Sequence, residues 1–218
     1  MDFMRVFKRA NYASLTEEQK MIYHMFDEEP ADEKMDIIKT ITSPHRKDTA
    51  LFKDLLQAGY REGWIDKSDR YPMMPELLAN ARDAAMAVNW RISQNYRCET
   101  QEMTDILSLA WCSFTAMADV YLCDKDWDSL RNEGLVYALE NECGFDKIDD
   151  YVVKIYKIKD KNALYQHLMR IALIAEDAVK NCDRLESIQR NHCASAMFMY
   201  GMALGMQWLG IMDRIYKV

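Results

Sequence analysis

Hydrophobic residues recur with helical spacing along the last third of the chain. From Asn162, a plausible N-cap, apolar or small residues stand at 164, 168, 171, 175, 178, 182 and 185, and again at 196, 199, 203 and 206. This spacing is that of one face of an α-helix. It predicts either one very long helix over 162–216 or two helices hinged near residues 181–184. Helices of more than 25 residues are uncommon in compact domains, which favours two.

Earlier parts of the chain carry further helix signals. The sequence Ser14-Leu-Thr-Glu17 has the form of a capping box, and Ser43-Pro44 reads as an N-cap followed by a proline in the first turn. Residues 60–74 are the least regular stretch and predict a long loop or a subdomain boundary. Segment 148–158 fits a strand or a helix, and its surroundings favour helix. The predicted helices are 14–27, 31–42, 44–58, 75–96, 100–122, 128–142, 148–158 and the C-terminal region.

Breakers of helices are scarce: the chain has 7 glycines and 4 prolines, and no proline follows Pro75. We therefore expect an all-α fold, a single domain over residues 1–218 with about seven to nine helices and a long apolar C-terminal helix. The composition, 50% hydrophobic and 29% charged, is that of a globular protein large enough to bury a core.

Residues 193–212 contain no charge over twenty positions, which is long enough to cross a bilayer. Gly201-x-x-x-Gly205 within them is a close-packing motif of helix pairs. Met, Ala and Gly dominate rather than Leu, Ile and Val, and the flanking charges are mixed in sign, so a helix buried in a protein core is favoured over a C-terminal membrane helix. We predict that this helix also contacts a partner, for example a second copy in a homodimer, through Gly201, Met202, Gly205, Met206 and Trp208.

The net charge is −7 and the sequence pI about 5.2. Such a chain repels a phosphate backbone, so direct binding of nucleic acid is not expected, whereas a basic protein partner is permitted. The six cysteines form no Cys-x-x-Cys pair and the N-terminus has no secretory signal, so we expect free thiols and a cytoplasmic protein.

Three carboxylates, Glu99, Glu102 and Asp105, fall on nearly one face of a predicted helix. All-α nucleotide pyrophosphatases bind Mg²⁺ with such an E-x-x-E helix, because a hard cation prefers several carboxylate oxygens. The E-x-x-D helix that follows in those enzymes has no counterpart downstream here. Acidic residues also accumulate in the first turns of helices because they complement the helix dipole.

No catalytic residues and no cofactor are predicted, because no phosphate-binding loop, metal-binding histidine pair or nucleophile motif is present. Trp64 lies in the irregular stretch and is the tryptophan expected to be most exposed, which makes it a candidate contact residue. Two functions stay open. The favoured one is a non-enzymatic protein-interaction module or inhibitor, of the kind that phages and mobile elements carry, acting through a helical surface. The alternative is a metal-dependent nucleotide hydrolase that uses Glu99, Glu102 and Asp105.

Overall fold

Two long helices with almost no charge in their central turns form the core of the protein. In the computed structural model these are α2 (Gln101–Lys125) and α6 (Glu186–Leu209), and they pack against each other along their lengths. Every residue over 108–120 and over 193–206 is buried. A helix that is apolar on all sides has to be covered on all sides, and each of these two covers the other.

The structure describes residues 46–67, 98–125, 135–180 and 186–211, together with Val88, Arg91 and Ile92. Contacts between Cα atoms group Lys47–Val218 in one unit and Met1–Arg46 in another, and all the described residues except Arg46 belong to the first. The helices predicted over 14–42, and most of the one predicted over 75–96, lie outside the described residues. A single domain over the whole chain stays a prediction.

The chain is all-α, as predicted: no strand occurs among the described residues. Six α-helices lie in this part of the chain, and the total of seven to nine stays a prediction. Helix α5 packs on both α2 and α6, and α4 packs on α2. The bounds are α1 Arg46–Glu62, α2 Gln101–Lys125, α3 Leu135–Cys143, a 3-10 turn Phe145–Lys147, α4 Ile148–Ile155, α5 Lys161–Lys180 and α6 Glu186–Leu209.

The end of α1 differs from the prediction. The sequence predicts that the helix ends at residue 58 and that Gly59 follows it, but the helix continues to Glu62, and Gly63 adopts the left-handed conformation with φ 74°. The amide of Trp64 then donates to the carbonyl of Gly59 at 3.0 Å, which closes the last turn. Gly59 is required for a different reason, because a Cβ there would lie 2.4 Å from the hydroxyl oxygen of Tyr200.

The C-terminal region contains two helices, as favoured from the sequence. His167 of α5 and Tyr200 of α6 are hydrogen-bonded at 2.6 Å. In one straight helix, residues 33 positions apart would lie about 50 Å from each other. The hinge region 181–185 itself lies outside the described residues. Helix α5 is capped by Asp160 rather than by Asn162, since Oδ1 of Asp160 accepts the amide of Ala163 at 3.1 Å.

One described helix is long and apolar enough to cross a membrane, and it is α2 rather than the predicted α6 segment. In its most apolar stretch, 72% is buried inside the protein. The core helix of a soluble protein can be equally long and apolar. The segment 148–158, ambiguous in sequence, is helical over Ile148–Ile155, as favoured.

Candidate functional site

A buried histidine lies at the junction of α1, α5 and α6. The side chain of His167 has no solvent exposure. Its Nδ1 lies 2.8 Å from Oε2 of Glu62, and its Nε2 lies 2.6 Å from the hydroxyl oxygen of Tyr200, which is also fully buried. A carboxylate only accepts, so Nδ1 carries the proton and donates to Glu62, and Nε2 accepts from Tyr200. We call these three residues the polar relay.

The outer end of the relay is an ion pair. The Nη2 and Nε atoms of Arg170 lie 2.9 and 3.3 Å from the same Oε2 of Glu62, while half of the Arg170 side chain is exposed. Burial raises the pKa of Glu62, but the hydrogen bonds from Arg170 and His167 outweigh it, and the net shift is downward. Glu62 is therefore ionised, and its charge is balanced by Arg170.

Trp64 covers the face of the histidine ring. The two rings are stacked with centroids 4.5 Å apart and planes 15° from parallel. Gln207 of α6 fixes the backbone on both sides of Ile65: its Nε2 donates to the carbonyl of Trp64 at 3.1 Å, and its Oε1 accepts the amide of Asp66. The left-handed conformation at Gly63 turns the chain so that Trp64 follows the end of α1 directly onto α5 and α6.

Trp64 is the first of five half-buried aromatic residues whose rings form a connected row. Successive centroids are 5.9–6.4 Å apart, within the range of favourable aromatic pairs, and the row joins the segment after α1 to α6, α4 and α2. We call this row the aromatic strip. Its members, in order, are Trp64, Trp208, Tyr156, Tyr121 and Tyr151.

The phenols of the strip are anchored and lie in an acidic setting. Tyr156 donates to the carbonyl of Met117 at 2.8 Å, and Tyr151 donates to Oε1 of Glu142 at 3.4 Å. Burial raises the pKa of both phenols, and nearby carboxylates raise it further, Asp119 and Asp124 for Tyr156 and Glu142 for Tyr151. The ammonium of Lys125 lies 4.4 Å from the ring centroid of Tyr121, so a ring of the strip already attracts a cation.

A buried carboxyl group lies in the C-terminal third of α2. Asp119 accepts a hydrogen bond from the thiol of Cys123 at 3.3 Å. A thiol is a weak donor, so it compensates poorly for the hydration that the carboxylate has lost. Burial accordingly raises the pKa of Asp119 to about 7.

The predicted contact residues of α6 divide into two groups. Gly201, Met202, Gly205 and Met206 are buried. The glycines do permit close packing, as expected, but with α2 of the same chain: a Cβ on Gly201 would lie 2.3 Å from the carbonyl oxygen of Ser113. Trp64 and Trp208, by contrast, are half-buried and adjacent, with centroids 6.0 Å apart.

The three carboxylates predicted for a metal site lie at the start of α2. Glu99 and Glu102 are exposed, and Oδ1 of Asp105 accepts the amide of the Gln101 side chain at 2.9 Å. Among the residues that the structure describes, no group of three or more His, Cys, Asp or Glu side chains is arranged to hold a metal ion. The five described cysteines are free thiols.

Comparison with known proteins adds nothing to this geometry. No family model, curated protein or solved structure matches the chain. Its function therefore has to be argued from its own residues.

Neither the polar relay nor Asp119 could be recognised from the sequence. Glu62 and His167 are 105 residues apart, and no spacing rule connects them. The one available signal is that His167 stands between Leu164 and Leu168, on the apolar face of its helix, where a histidine has to be buried and hydrogen-bonded.

Proposed function

We propose that this chain is a non-enzymatic binding protein that contacts a basic protein partner through the aromatic strip. The observation that carries the proposal is the strip itself, five half-buried tryptophans and tyrosines in mutual contact across four separate segments. Tryptophan and tyrosine are enriched among the residues that dominate binding energy at protein interfaces. The expected contact residues Trp64 and Trp208 are both members of the strip.

Charge supports the choice of a basic partner. The chain carries a net charge of −7, and Asp124 and Glu142 act electrostatically on phenols of the strip. Complementary charge speeds association and excludes partners of the same sign. Aromatic faces add to this preference, because they attract the guanidinium and ammonium groups of a basic partner.

The buried position of the relay supports a non-enzymatic role. His167 and Tyr200 are the base and the hydroxyl that a nucleophilic mechanism would use, and their spacing of 2.6 Å is suitable. Both side chains are fully buried in this conformation, so a substrate has no access to them. Their hydrogen bonds hold three helices together, which is a structural role.

We further propose that the protein is cytoplasmic, that it folds as one bundle of seven to nine helices, and that it inhibits the partner it binds. Self-association through α6 is a separate proposal. Met202 and Met206 are buried, so the part of α6 that a second copy would contact is its C-terminal end around Trp208.

The test starts by capturing and identifying a partner with the immobilised chain, and then measures the binary affinity of the purified pair by calorimetry. Trp208→Ala is expected to weaken binding by about 30-fold, the effect of an interface residue worth about 2 kcal/mol. Asp124→Lys is expected to weaken it through charge, and added salt should reduce affinity.

Met103→Ala is the matched control. Met103 is the most exposed large hydrophobic among the described residues, at 49%, and lies 18 residues before Tyr121 on the same helix, about 27 Å away. Its replacement should leave affinity unchanged. Affinity that depends on Met103 and not on Trp208 would contradict the proposal. If the chain consumed nucleoside triphosphate in a Mg²⁺-dependent way and Glu102→Ala abolished this activity, the alternative function, a metal-dependent nucleotide hydrolase, would be supported instead.

A further inference from the structure

The segment Gly63–Asp66 lies over His167. Trp64 stacks on the imidazole and contacts Trp208, Gln207 makes two hydrogen bonds to the backbone, and the amides of Trp64 and Ile65 close the turn to Gly59. The side chain of Ile65 is buried in the core. The segment itself is not helical beyond Glu62. Opening has to expose Ile65 as well as break these contacts, but a short segment outside the helices still opens at lower free-energy cost than the helices beneath it.

The charges around the imidazole favour its neutral form. The groups that face it are Glu62 at the end of α1, Arg170 on its own helix, and the uncharged phenol of Tyr200 on α6. The carboxylate of Glu62 is already balanced by Arg170, so a second proton on His167 would add a net positive charge to a fully buried site. The indole of Trp64 attracts a cation and offsets only part of the lost hydration.

The hydrogen bonds also favour the neutral ring. With its proton on Nδ1, the imidazole donates to Glu62 and accepts from Tyr200, and both nitrogens are satisfied. A second proton on Nε2 turns an acceptor into a donor, so the Tyr200 hydroxyl has to reverse its orientation. Tyr200 is packed so closely on Gly59 that a Cβ there would lie 2.4 Å from its oxygen. Because the oxygen is held in place, the second proton can be accommodated only by turning the hydroxyl hydrogen away from the ring.

We propose that the segment Gly63–Asp66 is a proton-linked lid, closed over neutral His167 and opened when this ring takes up a second proton. The direction of the coupling follows from the ring's pKa, which burial lowers more than Glu62 raises it. Because the closed state binds the proton less readily than an exposed ring, closure is fully favoured above the ordinary histidine pKa of about 6.5. It weakens as the pH falls from about 6.5 toward the lowered value, and it levels off once the ring is protonated in the closed state as well.

Opening of the lid would also regulate binding of the partner by pH, because Trp64 is the first residue of the aromatic strip. This consequence rests on the proposed function, whereas the lid does not. The experiment therefore uses the full chain without any partner, so that a failure of the lid and a failure of the proposed function are separate results.

The test measures hydrogen-exchange protection of the Trp64 and Asp66 amides by NMR between pH 7.5 and 5.5, corrected for the intrinsic exchange rate. Protection should fall several-fold over this range, with a limit of about tenfold per pH unit because one proton is taken up. The decline should begin near pH 6.5 and level off at the pH where the ring of His167 titrates, as measured on its own NMR signals. Amides in the middle of α2 should keep their protection.

Two variants distinguish the titration of His167 from that of Asp119, the other buried group whose pKa lies near neutral pH. Asp119→Asn should retain the pH-dependent opening, while His167→Gln should abolish the pH dependence of Trp64 protection. If His167→Gln does not fold, the unmodified chain decides, through the agreement between the pH at which protection levels off and the titration of the His167 ring. Unchanged protection while His167 titrates would overturn the proposal, and so would opening that disappears in Asp119→Asn.

Discussion

The Nδ1 atom of His167 and the Oε2 atom of Glu62 lie 2.8 Å apart although 105 residues separate them in the chain. The contact connects the last residue of α1 to the middle of α5. Through Tyr200 on the other side of the ring, it also connects both helices to α6. A buried polar network stabilises a fold only when each of its members has a partner, so the loss of a single group should be costly.

Replacement of Glu62 tests this connection. Glu62→Ala leaves the Nδ1 proton of His167 buried without its acceptor, and we expect the free energy of unfolding to fall by about 1–3 kcal/mol. Glu62→Gln should cost less, because an amide oxygen still accepts that proton. Urea unfolding at pH 7.5 measures both, with the exposed Glu99→Ala as the control. Equal losses in Glu62→Ala and Glu99→Ala would show that the relay contributes nothing to stability.

Asp119 should make stability depend on pH in the opposite direction from ordinary surface carboxylates. Its pKa is about 7 in the folded chain and about 4 when unfolded. The folded state therefore holds its proton longer, and its stability falls as the pH rises from about 4 to 7, by a few kcal/mol. Asp119→Asn, which cannot ionise, should remove this decline. The measurement is urea unfolding from pH 4 to 8, and an equally steep decline in the variant would contradict the assignment.

Gly201→Ala should destabilise the contact between α6 and α2. The new Cβ would lie within 2.8 Å of three backbone atoms of Ser113, and backbone in the middle of a helix cannot move aside. We expect a loss of about 1–3 kcal/mol or more, which exceeds the roughly 1 kcal/mol that alanine gains over glycine in helix propensity. Thermal unfolding followed by circular dichroism should show a lower midpoint. A raised midpoint would mean that the two helices are not in this close contact.

Gly205 provides a matched comparison, because its neighbours are mostly side chains. A Cβ there would lie 2.7 Å from the hydroxyl oxygen of Tyr156 and 3.2 Å from Cβ of Val120. Gly205→Ala should therefore be less harmful than Gly201→Ala. Tyr156→Phe alone loses the hydrogen bond to Met117 and should cost about 1 kcal/mol.

The double variant Gly205→Ala/Tyr156→Phe tests which atom causes the clash. Without the hydroxyl, the alanine methyl has space, so the combined loss should be smaller than the sum of the two single losses. Additive losses would indicate that Val120 or the α2 backbone, rather than Tyr156, limits the space at Gly205.

The helices could be predicted because their signals are local. The periodicity of apolar residues over 164–178 and 196–206, and the absence of proline after Pro75, indicate α5 and α6 without any knowledge of their neighbours. The glycine pair Gly201 and Gly205 also indicated a close helix contact. Its partner, α2, could not be identified, because an apolar helix has no side that specifies a particular neighbour.

The site could not be predicted because it depends on long-range pairing. Nothing near Glu62 in the sequence shows that it ends a helix beside His167, and the end of α1 was itself misplaced by the assumption that Gly59 stops it. Gly59 and Gly63 are both glycine, yet one is required by the Tyr200 hydroxyl and the other by its backbone conformation. Sequence spacing does not distinguish these two reasons.

The contact of Gly201 with the Ser113 backbone also limits how α2 and α6 can move. A shift of α6 along α2 by one turn, about 5.4 Å, would bring either Met197 or Gly205 toward Ser113, and only Gly205 lacks a Cβ. The close approach therefore restricts the axial register of the two helices. We therefore expect a rearrangement on binding or protonation to take place in the segments attached to this pair, such as the one that carries Trp64, rather than in the pair itself.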